Sequence, residues 1–145
     1  MRWLLDTNVI SEIRHPQGDR EVKRRISALP SESLFLSAIV FGELVKGVRR
    51  LPESERKGEL LEWLVKFETD FGDRILPFDR ETARIWGGLV AASEARGLSI
   101  GMADGQIAAT AIQNNVVLVS RNTRHFDLPE LQLWNPWERK AMAIP

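Results

Sequence analysis

Val116-Val117-Leu118-Val119 is the stretch from which the fold can be read. It is apolar at every position and rich in β-branched residues. That pattern belongs to a strand buried on both faces of a parallel sheet, not to the in-out alternation of an antiparallel one. The segment before it, Met102 to Gln113, is alanine-rich and sets Ile107, Ala108, Ala111 and Ile112 on one helical face. After it, Leu131 to Trp134 forms a last short strand candidate before a tail from Pro136. Toward the N-terminus strands and helices keep alternating. Asp79 caps a helix to Arg96 that Gly97 ends, Arg74 to Phe78 is a strand, and Pro52 starts a helix through Phe71 with Leu60, Leu61, Leu64, Val65 and Phe67 at helical spacing. Leu34-Phe35-Leu36 is a strand from which Ser37 caps a helix over Ala38 to Arg50. A charged helix from Asp19 to Leu29 stops at Pro30. Trp3-Leu4-Leu5 is the first strand, turning at Asp6-Thr7-Asn8 into a short helix to Arg14 that His15-Pro16-Gln17-Gly18 breaks. The alternation predicts one α/β domain around a mostly parallel sheet.

Composition limits the chemistry. The chain has 145 residues, 43% hydrophobic and 28% charged, with 20 basic residues against 20 acidic ones. This suits one core and is too short for two. No apolar run approaches the ~20 residues of a membrane-spanning helix. The opening Met1 to Asp6 leaves no room for a charged leader and an apolar signal core, so the expected location is cytoplasmic. With no cysteine there is no disulfide, thiolate metal site or cysteine nucleophile. His15 and His125 are the only histidines and tyrosine is absent, so any catalysis rests on carboxylates, hydroxyls and amides. Zero net charge disfavours a broad basic face for nucleic acid while leaving room for a local basic rim.

In a parallel sheet, strand C-termini and crossover-helix N-termini share one edge, where open α/β sheets bind ligands. Asp6 follows the first strand, Glu43 lies within two turns of the helix start at Ala38, Asp104 is in the first turn of its helix, and Asn122 follows Val116–Val119. Each has a plain structural reading. Asp6 and Asp104 could be helix caps, with Ser99 an alternative cap for the second helix, and Glu43 could pair with Lys46. Glu43 fits its plain reading least. Ile39, Val40, Phe41, Leu44, Val45 and Val48 cover most of its helix, and Gly47 leaves space beside it. Converging carboxylates raise one another's pKa values unless a counter-ion is present. A hard divalent cation takes oxygen ligands, and Mg²⁺ keeps several waters, which suits phosphodiester hydrolysis.

Four segments carry a resemblance: Leu4-Leu5-Asp6-Thr7-Asn8-Val9-Ile10-Ser11, Phe41-Gly42-Glu43-Leu44-Val45-Lys46-Gly47, Ala103-Asp104-Gly105-Gln106-Ile107-Ala108-Ala109-Thr110-Ala111, and Leu118-Val119-Ser120-Arg121-Asn122-Thr123-Arg124-His125-Phe126. Together, and in this order, they resemble the PIN-domain ribonucleases, most closely the VapC toxins of toxin–antitoxin pairs, including the FitB-like branch. The likeness spans essentially the whole chain. It implies a PIN-like domain over residues 1–135, a tail over 136–145, and sheet order 3-2-1-4-5 with Asp6 and Asn122 flanking the switch between the first and fourth strands. It also implies that Asp6, Glu43 and Asp104 are catalytic and hold Mg²⁺, for which Mn²⁺ could substitute, with Asp6 and Asp104 the direct ligands. Thr7 and Asn8 then orient Asp6. Ser120 stands where the family often has Thr, as an orienting or phosphate-binding hydroxyl. Many members carry an acid where this chain has Asn122, so one metal rather than two is expected here. The implied partners are an RNA substrate, a small inhibitory VapB-type antitoxin, a second copy of the chain within a larger complex, and DNA only through the antitoxin.

The remaining charged groups sort around that site. Arg121 and Arg124 lie beside it and are expected to meet RNA phosphate. His125 is given a structural or substrate-edge role, and His15 a place at a helix end. Lys23-Arg24-Arg25 and Arg49-Arg50 read as solvated helix faces, and Asp127 as a solvated loop carboxylate. Asp79 follows a strand two positions from the first, displaced by roughly 10 Å at ~4.8 Å per strand, and is assigned to capping. Two other function classes are compatible with parts of the pattern. An aspartyl-phosphate phosphatase would use Asp6 as nucleophile but has Asn8 where a second Asp should serve. A non-catalytic PIN-like binding domain would treat Asn122 as the mark of a decayed site.

Overall fold

Trp3, Leu4 and Leu5 lie in parallel register with Val117, Leu118 and Val119, so that Leu5 and Val119 end side by side. This pair is the centre of the computed structural model, which describes residues 1–138. The strands are β1 (Trp3–Leu5), β2 (Leu34–Ser37), β3 (Ile75–Leu76), β4 (Val117–Val119) and β5 (Leu133–Trp134). They form one sheet in the order β3-β2-β1-β4-β5 with every neighbouring pair parallel, as the family resemblance implies. Leu4, Leu36, Leu118 and Val119 have no exposed surface, which explains their unbroken apolar runs.

Six helices among the described residues provide the connections: α1 (Thr7–Arg14), α2 (Arg20–Ser27), α3 (Ala38–Arg49), α4 (Glu55–Phe71), α5 (Arg80–Ala95) and α6 (Met102–Asn114). Their ends follow local chemistry. The Ser37 hydroxyl accepts the Val40 N–H and starts α3 directly from β2. Asp79 and Thr82 form a reciprocal capping box at the start of α5. Gly97, at φ +76°, follows α5, and Asn115 takes the left-handed conformation that stops α6. None of these helices is long and apolar enough to cross a membrane.

Several expected boundaries move. The helix expected from Pro52 begins at Glu55, because the Ser54 hydroxyl accepts the Lys57 N–H and Pro52 lies in the connection before it. The strand expected over Arg74 to Phe78 contracts to Ile75–Leu76. Arg74 ends a 3₁₀ turn and binds the Ser31 and Leu34 carbonyls through its guanidinium, while Pro77 has no N–H for the ladder. The last strand begins at Leu133, since the Leu131 N–H closes a turn onto the Leu128 carbonyl. Residues 139–145 of the expected tail lie outside the described residues.

The α5–α6 contact is tight. A Cβ on Gly105 would lie 3.0 Å from Nε1 of Trp86, whereas one on Gly47 in α3 would meet nothing within 4 Å. Gly105→Val is expected to destabilise the fold by about 1–3 kcal/mol through overpacking. Gly47→Ala should stabilise it by up to about 1 kcal/mol through helix propensity. Urea unfolding of the two variants checks both signs.

Candidate active site

Since β1 and β4 end together, the next residue of each, Asp6 and Ser120, become neighbours at the carboxyl edge. The Asp6 N–H extends the ladder to the Val119 carbonyl at 2.9 Å, and the Ser120 N–H reaches the Trp134 carbonyl at 3.1 Å. Asp6 is only 6% exposed. Its Oδ1 accepts the Thr7 N–H at 2.8 Å, and its Oδ2 accepts the Ser120 hydroxyl at 2.7 Å and the Asn8 amide at 3.4 Å. The cap of α1 and the site residue are thus one side chain, with one oxygen in each role.

A single network extends from that carboxylate. The buried Ser120 Oγ also accepts the Asn122 N–H at 3.1 Å and the Asn8 amide at 3.3 Å. Asn8 Oδ1 accepts the Arg121 N–H at 3.2 Å. Thr7 turns its hydroxyl the other way and donates to Glu43 Oε1 at 2.8 Å. Glu43 borders the stripe of Val40, Leu44 and Val48 that α3 buries, which leaves it half-buried and facing Thr7 instead of Lys46.

Asp104 enters from α6, which is buried from Gly105 through Ala111 except at Gln106. The helix cap is Gly101, with no side-chain hydrogen bond, so neither Asp104 nor Ser99 serves as cap. The Asp104 side chain is 32% exposed, and its Oδ2 lies 3.4 Å from Nδ1 of His125. Burial, followed by the negative charge of Asp6, holds the Asp104 carboxyl above the ordinary carboxylate range, while His125 draws it back in part. The buried Phe126 pins the Thr123–His125 turn and leaves Arg124 and His125 exposed. Asp104, Arg124 and His125 share the wall of a half-open cavity of about 310 Å³ that also includes Ser99 and Gly101.

The structure thus joins Asp6, Thr7, Asn8, Glu43, Ser120 and the backbone of Arg121 and Asn122 by direct bonds, and adds Asp104 with His125 alongside. Asn122 is exposed and enters through its main-chain N–H. Asp79 stands apart, as its displacement on the sheet requires; the Thr82 N–H and hydroxyl and the Gln113 amide hold its carboxyl below the ordinary range. Asp127 pairs at 3.4 Å with Arg96, and His15 accepts the Gln17 N–H beyond α1. One reading is overturned. Arg25 is no solvated-face residue: its side chain is 20% exposed and donates to the carbonyls of Pro136 and Glu138. Sequence reading missed it, and with it Trp137, because the contact joins positions 111 residues apart without a motif at either end.

Among the described residues, no three carboxylate or imidazole groups close into a coordination cluster. The donors nevertheless suit one hard cation. They are oxygens only, they lie at an open edge, and the Asp104 carboxyl is destabilised in its charged form by burial and by Asp6. Mg²⁺ is commonly held by one or two carboxylates with water and substrate phosphate completing its shell.

The PIN domain family matches residues 3–131 of the chain. The chain is 38% identical over 143 residues to the VapC ribonuclease Y4jK of Sinorhizobium fredii, covering 93% of this chain and 97% of that protein. It is 39% identical over 135 residues to the toxin FitB of Neisseria gonorrhoeae, covering 92% and 97% respectively. Among solved structures, it is similar to FitAB bound to a DNA fragment, with a TM-score of 0.91 at 36% identity over 97% of this chain and 99% of that one. It is also similar to VapBC2 of Rickettsia felis bound to a promoter DNA fragment, with a TM-score of 0.75 at 28% identity over 93% and 100%.

A raised carboxyl pKa favours the neutral form in the fold. Its stabilising contribution is present below the unfolded-state pKa and is lost as pH rises through the folded value. Without metal, Asp104→Asn is therefore expected to be more stable than the wild type at neutral pH. The advantage should shrink as pH falls through the carboxylate range. Urea unfolding at neutral pH and near pH 3 measures this, and equal stability at neutral pH would contradict the account of Asp104.

Proposed function

This chain belongs to the PIN-domain family, and from that premise we propose that it is the toxin of a type II toxin–antitoxin pair, a Mg²⁺-dependent endoribonuclease held inactive by a small VapB-type antitoxin. The observation that carries the reading is the setting of Asp6. A buried carboxylate at the sheet's switch point is fixed by donors on both oxygens, with Asp104 close enough to feel its charge. The ribonuclease and toxin names of relatives matched over nearly their full length support the activity and the toxin role.

Asp6, Asp104 and Glu43 are the residues that would hold Mg²⁺. The bound ion makes water more acidic and neutralises charge on a phosphoryl oxygen. The chain's own part is orientation. Ser120 and Asn8 fix Asp6 from one side, and the Thr7 hydroxyl fixes Glu43 from the other. Arg121 and Arg124, both exposed, would receive the RNA backbone and hold it for the carboxylates. Attack of water in line at phosphorus expels the 3′ oxygen, leaving 5′-phosphate and 3′-hydroxyl ends. Asn8 donates its amide to Asp6 and Ser120, an orienting arrangement that gives no support to a phosphatase acid at that position. The antitoxin would occlude the acidic edge with a basic side chain, such as an Arg, paired to the carboxylates. A homodimer within the larger complex, with DNA contacted by the antitoxin, completes the reading.

Purified protein is expected to cleave RNA with Mg²⁺ or Mn²⁺, to stop with chelator, and to leave 5′-phosphate ends. Ser120→Ala should lose roughly 10–100-fold, the typical effect of an outer orienting partner. Asp6→Asn and Asp104→Asn should lose more, and neither should arrest growth when expressed alone. A 2′,3′-cyclic phosphate product, or wild-type turnover by Asp104→Asn, would refute the mechanism.

The metal count follows from charge. Three carboxylates supply about −3, which balances one Mg²⁺ with charge to spare but not two. Asn122 adds only a neutral amide. Calorimetric titration without RNA is expected to show one site, and Asn122→Asp should lower the Mg²⁺ concentration for half-maximal activity. Two tight sites in the wild type would contradict this.

A further inference from the structure

We propose that the segment Asn135 to Glu138 belongs to the RNA-binding rim, where Trp137 positions the guanidinium of Arg121 for a substrate phosphate. This rests on the nuclease reading above. It concerns residues beyond the 3–131 span matched by the family.

Three sets of contacts carry it. The Arg121 guanidinium carbon sits 5.2 Å from the centroid of the Trp137 ring, within cation–π range. Asn135 ties the two residues together, donating its amide to the Arg121 carbonyl at 3.4 Å and accepting the Trp137 N–H at 2.9 Å. Arg25 of α2 anchors the segment from below through the carbonyls of Pro136, at 2.9 Å, and Glu138. The segment is therefore a fixed turn docked on the domain.

At its other end Arg121 is bonded into the acidic network. Its N–H donates to Asn8, and Asn8 donates to Asp6 and Ser120. An unbroken chain of contacts thus runs from Trp137 to the carboxylate at the end of β1.

The geometry selects an anion as the ligand. The ring contact consumes no hydrogen-bond acceptor, and among the described residues the guanidinium N–H groups of Arg121 donate to no protein acceptor, whereas its backbone N–H does. Among the described residues, no carboxylate is within ion-pair distance of Arg121, and the residue is exposed. A phosphate meets a guanidinium with two parallel hydrogen bonds. The cation–π contact restrains a long side chain before substrate arrives, and Trp137 acts through Arg121, so it is a positioning residue.

The test uses the full chain and a short single-stranded RNA. It combines steady-state cleavage in Mg²⁺ with binding of the same RNA in chelator. Trp137→Ala is expected to raise KM and Kd about tenfold with kcat within twofold. Trp137→Phe, which keeps a π face, should recover most of the loss, and Trp137→Leu should not. Arg121→Ala should raise KM at least as much and flatten the salt dependence of binding by about one phosphate contact, a slope change of about 0.7 for single strands. Adding Trp137→Ala to it should cost nothing further. Equal KM and Kd for Trp137→Ala and wild type, a fall confined to kcat, Leu rescuing as well as Phe, or independent multiplying effects would each overturn the proposal. So would loss of antitoxin binding with RNA binding intact, which would assign the pair to the protein partner. If Trp137→Ala proves unfolded by its melting curve, the Phe and Leu variants decide. Absence of cleavage by the wild type would refute the nuclease reading, while the binding measurements would still decide the role of Trp137.

Discussion

A carboxylate that is 6% exposed is costly unless donors replace the water it has lost, and the arrangement around Asp6 answers that constraint. Its partners come from two elements. The start of α1 gives the Thr7 N–H, the end of β4 gives the Ser120 hydroxyl, and the first turn of α1 gives the Asn8 amide. Only the parallel register that ends Leu5 beside Val119 brings Ser120 within reach. A one-residue slip would turn the Ser120 side chain to the opposite face and leave Oδ2 without its shortest bond. Sheet register and site electrostatics therefore depend on the same contact.

Much of this was legible in the sequence. An apolar run with no alternation needs cover on both faces, which is why Val116–Val119 identified a parallel sheet. Asp6, Glu43, Asp104 and Asn122 could be assigned to one edge because strand ends and helix starts coincide there. Pairing order needed the family resemblance, since no single strand of two to four residues encodes its neighbours. Boundaries were less legible wherever a side chain or proline acted locally. Ser54 displaced Pro52 as the start of α4, and Pro77 cut β3 short. Arg25 was misread for a different reason. Its neighbours Lys23 and Arg24 supply the appearance of a solvated basic run, while its real partners are main-chain carbonyls far along the chain, which have no sequence signature.

Asp79 and Asp104 show what separates a structural carboxylate from a candidate functional one when both sit near helix starts. Asp79 accepts from Thr82 and Gln113 through Oδ1, and those donors favour its charged form. Asp104 has the start of a helix without the cap's duty, because Gly101 occupies that position. It is left with burial and with the charge of Asp6 against it, relieved only in part by His125. Type and local position would rank these two residues equally. Their hydrogen-bond surroundings rank them in opposite order.

The contrast extends to Asp6 and Asp104 themselves. Asp6 has both oxygens engaged by neutral donors, which position it but add no positive charge. Asp104 has one contact, to an imidazole 57% exposed and at 3.4 Å, with its carboxyl open to the adjoining cavity. A cation arriving at this edge would find one ligand already fixed and a second whose charged form it alone can favour strongly. Under the proposed reading the fixed carboxylate would set the position of binding, and the unsatisfied one would supply a driving force. The electrostatic cost of burial and of the neighbouring charge thus falls on Asp104, a half-buried residue at the rim of the site.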